Sequence, residues 1–133
     1  MDWNATTERL LGFLPQPGAE IGSITRYTWE IGSRIKDGLV ELEAEAPDWV
    51  YVRQEDLIFE WNLSETVLVR VVVQSTQIII WAMHEGSLKL KTMFDAPFEV
   101  LEQLTKGIVS WLHNLLKSST TAMRRAQASS GGE

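Results

Sequence analysis

The side chains in this sequence with chemistry to offer are two histidines, an arginine set inside a strand, and a run of carboxylates. His84 and Glu85 stand side by side before Gly86, the pairing that general acid–base work uses. Neighbours on a strand point to opposite faces, however, so these two do not converge. His113 falls on the polar stripe of the last helical segment, where a cation near a helix C-terminus is favourable without any further role. With two histidines, no cysteine and no HxH or HExxH spacing, a zinc site would need distant residues to assemble. There is no Gly-x-Ser-x-Gly elbow and no glycine-rich phosphate loop. The sequence therefore assigns no catalytic residue, no metal and no cofactor.

Arg70 is the less ordinary cation. The strand pattern sets it opposite Trp81, on a face with Leu57 and Trp61. One reading is an anion hook in a cavity between sheet and final helix, with Trp81 stacked on it. The other is an arginine stacked on Trp81 that reaches water or a nearby carboxylate. Glu41, Glu43 and Glu45 share one face of a predicted strand. They read as a docking surface for a basic partner or as a plain solvated edge. From Glu41 to Glu65 there are eight acidic residues against Arg53 alone.

These side chains must be positioned by one domain. The chain has 133 residues, 44% of them hydrophobic, which is enough for a single packed core. Eighteen acidic residues against 12 Lys and Arg leave a net charge of −6, which argues against direct nucleic-acid binding and against an anionic membrane surface. No basic start leads into an apolar run, and Arg70 and the Gln74–Gln77 stretch interrupt the most apolar region. No membrane insertion is expected, and a cytoplasmic or intracellular setting is the default expectation.

The predicted fold is α+β. It has a short N-terminal helix, a mostly antiparallel meander of about six or seven strands, and a long C-terminal amphipathic helix on one sheet face. Residues 1–117 form the single domain, and the polar 118–133 read as a disordered tail. Asn4 or Thr6 caps the first helix in this reading, which Pro15, Pro17 and Gly18 end. Asp37-Gly38 predicts a hairpin, with Tyr27, Trp29, Ile31, Ile35, Val40, Leu42 and Ala44 alternating on its inner face. Further turns are predicted at Leu63-Ser64, Gln74–Gln77 and Glu85-Gly86. They place Leu57, Phe59, Trp61, Leu68, Val72, Ile79, Trp81, Met83, Leu88 and Leu90 on the core face. Leu101, Leu104, Ile108, Trp111, Leu112 and Leu115 form the stripe of the final helix that covers it.

The opposite face then carries Ile58, Val67, Val69, Val71, Val73, Ile78, Ile80 and Ala82, too many branched apolar residues to leave in water. Either the N-terminal helix covers it or a second copy does, and the six-residue set Val67, Val69, Val71, Val73, Ile78 and Ile80 is the expected dimer interface. Of the six tryptophans, Trp3 and Trp49 are left over as interface anchors, though Trp3 also suits a staple on the first helix.

In element order and charge the chain resembles the helix-grip plan of ligand-cavity proteins, and also small acidic secretion chaperones. The mid-chain helix of those chaperones is not evident in this sequence. The first resemblance implies a small-molecule cavity, or an enzyme of that plan. The second implies protein binding. With a second apolar face, an acidic stretch and no catalytic motif, the expectation is a non-enzymatic protein-binding module (adaptor, chaperone or inhibitor) that self-associates as a dimer. The alternative is a small-molecule binder with a cavity between sheet and C-terminal helix.

Overall fold

Two capped helices precede an uninterrupted run of strands. The computed structural model describes residues 2–14, 24–95 and 106–117. The Asp2 side chain accepts from the Ala5 N–H at 2.8 Å and opens α1 (Trp3–Gly12), so the cap lies ahead of the predicted Asn4 or Thr6. The Thr25 side chain accepts from the Thr28 N–H at 3.1 Å and opens α2 (Arg26–Glu41). Five strands follow: β1 (Trp49–Arg53), β2 (Asp56–Asn62), β3 (Val67–Val73), β4 (Gln77–His84) and β5 (Ser87–Asp95). They form one antiparallel sheet in the order β1-β2-β3-β4-β5. A last helix, α3 (106–117), completes the α+β fold.

The predicted Asp37-Gly38 hairpin is a helix, and this is the main correction to the element list. Residues 27–42 satisfy both periods, because Ile31 and Ile35 fall on the alternating set and also on a helical stripe with Thr28, Gly32 and Leu39. The stripe is what packs: all five of its residues are buried, whereas Val40 and Leu42 are 42% and 41% exposed. The glycines that suggested turns are close-approach positions. A Cβ on Gly38 would lie 2.8 Å and 2.9 Å from the Val109 methyls, so α2 and α3 meet there backbone against side chain. A Cβ on Gly32 would fall far inside contact with Leu57 Cδ2, so α2 lies flat on β2.

The sheet faces are also exchanged relative to the sequence reading on β3 and β4. Trp61 pairs with Val69 and Asn62 with Leu68, so the loop between β2 and β3 runs over residues 63–66. Ser64 closes it: its hydroxyl accepts from the N–H groups of Thr66 (3.2 Å) and Val67 (3.1 Å). An odd change in register inverts every following side chain. Leu57, Phe59 and Trp61 therefore share their face with Val69, Val71, Val73, Ile78 and Ile80, all 0% exposed. The turns at Gln74–Gln77 and Glu85-Gly86 stand as predicted, the latter with positive φ at both residues (53° and 77°). A register shift at Ala82/Met83 then moves β5 by one residue, pairing Leu90 with Ala82.

All three helices pack on the Val71–Ile80 side. Arg9 of α1 donates from Nε to the Val50 carbonyl of β1 at 2.7 Å. Ile31 and Ile35 of α2 sit on β2 and β3, and α3 brings Ile108, Val109, Leu112 and Leu116 into the same core. Trp111 meets Phe94 of β5 edge-on at 6.1 Å. Leu101 and Leu104, the predicted start of this helix, lie outside the described residues, as do Pro15, Pro17, Gly18 and the 118–133 tail.

Three tryptophans clip the layers together through indole N–H donors to backbone carbonyls. Trp3 donates to Ala44 (2.7 Å), Trp29 to Leu10 (2.6 Å) and Trp61 to Glu45 (2.8 Å). Each indole thereby meets its donor, Trp3 and Trp61 by holding the irregular segment after α2 and Trp29 by tying α2 to α1. Trp3 is a staple between α1 and the segment after α2.

Candidate functional site: the open sheet face

The interface set Val67, Val69, Val71, Val73, Ile78 and Ile80 is not available to a partner in this structure. Five of its members are fully buried and Val67 is partly so, under helices of the same chain. The cover required by so many branched residues is intramolecular, and α2, which the sequence reading took for a hairpin, supplies much of it. The space between sheet and helices is filled by side chains such as Phe59, Trp61, Val71, Ile80 and Leu112.

Among the described residues no element packs on the other face, although Ile58 and Val72 at its centre are only 6% and 8% exposed. Register fixes its rows across the strands. One runs Trp49, Glu60, Arg70, Trp81, Lys91, and the next runs Tyr51, Ile58, Val72, Ile79, Met93. Leu68, Met83 and Leu88 form a third apolar group beyond the first row. Trp49, Leu88 and Met93 are 55%, 52% and 54% exposed, and Leu68, Ile79, Trp81 and Met83 are partly so.

At the centre of this face Glu60 Oε1 gathers three donors. Arg70 donates from Nη2 at 2.6 Å and from Nε at 2.8 Å, and the Tyr51 hydroxyl donates at 3.3 Å. Arg70 and Lys91 lie 5.9 Å and 5.6 Å from the Trp81 ring centroid, one to each strand side of it. Arg70 thus lies opposite Trp81, as the sequence reading has it, but away from the helices. Its charge is met by a carboxylate, so an incoming anion would have to displace Glu60 from three donors. The Trp81 indole nitrogen is a buried donor without a partner among the described residues.

Burial, followed by the Glu60 charge, raises the Tyr51 hydroxyl above its usual 10.0, and burial raises Tyr27 likewise. The unfolded chain then releases these protons first, so the contribution to stability is complete below pH 10 and is lost as pH rises through the folded values. Tyr51→Phe should flatten this alkaline loss, and Tyr27→Phe added to it should flatten it further. Urea midpoints between about pH 8 and about pH 11 measure it, and equal slopes in wild type and both variants would refute the assignment.

The remaining candidates do not assemble. His84 ends β4 exposed, His113 is half-buried on α3, and neither meets a nucleophile or a second ligand. Among the described residues no three His, Asp or Glu gather to hold a metal ion. Glu41, Glu43 and Glu45 are exposed but share no strand face. Glu41 ends α2, Glu43 has a positive φ of 56°, and the Glu45 carbonyl holds Trp61. A cleft of about 550 Å³ between α2 and α3 mixes both signs of charge, with Arg34, Asp37, Glu41 and Lys106 at its walls. No described helix is long and apolar enough to cross a membrane.

Comparison with protein-family models, with curated proteins and with solved structures finds no match for this chain.

Proposed function

We propose that this chain is a protein-binding module whose docking surface is the open sheet face. The observation that carries the reading is the composition of that face: Trp49, Leu68, Ile79, Trp81, Met83, Leu88 and Met93 at or near the surface around a fixed Arg70–Glu60 pair. Aromatic and methionine side chains with a central arginine are what binding surfaces enrich, and lysine-poor apolar centres are what they share. Five strands at about 4.8 Å spacing and some seven residues at about 3.3 Å give the whole face, charged residues included, a projected area of about 550 Å². The lack of a gathered nucleophile, base or ligand set among the described residues leaves binding, rather than catalysis, as the use this geometry supports.

Trp81→Glu tests the reading. Trp81 is partly exposed and outside the core, so the variant should keep the wild-type far-ultraviolet spectrum. A panel of amphipathic peptides, strand-forming and helical, titrated against the full chain should contain binders whose affinity falls by at least about tenfold in the variant. A chain that is monomeric and finds no binder in the panel, or binders indifferent to Trp81→Glu, would overturn it.

A further inference from the structure

We infer that the occupant of the open face is a second copy of this chain, packed sheet to sheet about a two-fold axis that crosses the strands at the Tyr51–Ile58–Val72–Ile79–Met93 row. The inference rests on the protein-binding reading and names its partner. The first argument is charge. By register the face holds three cations, Arg53, Arg70 and Lys91, and three carboxylates, Asp56, Glu60 and Asp95. It is neutral in a chain of net charge −6. A basic partner drawn to the acidic surface elsewhere would find no complement here, whereas an identical neutral face needs none.

The second argument is where those charges sit. The apolar row is flanked by the row Trp49, Glu60, Arg70, Trp81, Lys91 on one side and by Arg53, Asp56, Gln77 and Asp95 on the other. A two-fold through the apolar row lays each flank on the opposite flank of the second copy. Lys91 then meets Asp95, Trp49 meets Arg53, and the apolar row meets itself. Asp56 falls against Glu60, whose charge Arg70 already compensates at 2.6 Å. Sheets packed face to face in this way lie within about 30° of each other, which their twist supplies. The third argument is size. A projected area of about 550 Å² is a fair match to the roughly 800 Å² of rough accessible surface that each partner contributes to a standard interface.

Light scattering on a size-exclusion column with the full chain reads the outcome. The expected mass is twice the 15.1 kDa chain. Met93→Glu, at a side chain 54% exposed, should keep the wild-type far-ultraviolet spectrum and raise the dissociation constant by about a hundredfold. Lys91→Asp should weaken the dimer about tenfold, and Lys91→Asp with Asp95→Lys should restore it. That rescue is specific to the two-fold. A chain monomeric at every concentration overturns the inference, and the peptide titration then decides separately whether the protein-binding reading stands. A dimer indifferent to Met93→Glu, or one in which the double exchange fails to rescue, places the contact elsewhere and also overturns it.

Discussion

Val71→Lys unfolds the chain. Val71 is 0% exposed at the centre of β3, flanked by Phe59 on β2 and Ile80 on β4, both also 0% exposed. A lysine there loses its hydration, and no buried carboxylate among the described residues meets it. The cost of about 4 kcal/mol or more is a large part of the 5–15 kcal/mol that holds a typical domain together. The neighbouring substitution Ile79→Lys, on the open face and partly exposed, should cost no more than about 1 kcal/mol. Circular dichroism and urea titration of the two variants separate the faces directly. If Val71→Lys instead gave a folded monomer, β3 would have its other side inward.

Gly32→Ala is the second large effect, and its sign is unusual. In an open helix alanine would gain about 1 kcal/mol over glycine. At Gly32 the new Cβ runs into Leu57 Cδ2 and lies 3.5 Å from Phe59 Cε2, and both of those side chains are fully buried with nowhere to turn. Overpacking of this kind costs about 1–3 kcal/mol, so the net change should be a loss of up to about 2 kcal/mol. Gly12→Ala, at the end of α1 with no atom within 4 Å of the added carbon, should be neutral or gain up to about 1 kcal/mol. The same substitution at two helical glycines thus moves the thermal midpoint in opposite directions. Two equal gains would mean that α2 stands away from β2.

The errors of the sequence reading have one physical source: segments apolar on both sides. In Leu57-Ile58-Phe59 and, Arg70 apart, in Val67 to Val73 every position is apolar, and alternation does not say which side is inward. The register then hangs on a turn, and this one is closed by the Ser64 hydroxyl rather than by a glycine. The hairpins that carry a stronger local rule, such as Glu85-Gly86 with its two positive φ values, were legible. Residues 26–41 failed for the complementary reason. Glycines and a threonine on the packing stripe hide a helix whose contact is made by having no side chain. Of the site, the Arg70–Trp81 juxtaposition could be read from the strand pattern. Glu60 as the partner of Arg70 could not, because it required the β2–β3 register.

The plain meander order also bears on how the chain reaches its native state. Every strand pairs with its neighbour in sequence, so the sheet can close through short turns before any distant segment arrives. The helical layer is the slow part. Arg9 reaches Val50 across 41 residues, and Val109 seats against Gly38 across a still longer stretch of chain. Between these two stages the nascent sheet carries apolar residues on both sides, one awaiting its helices and the other its proposed second copy. The hazard in refolding is therefore the uncapped meander.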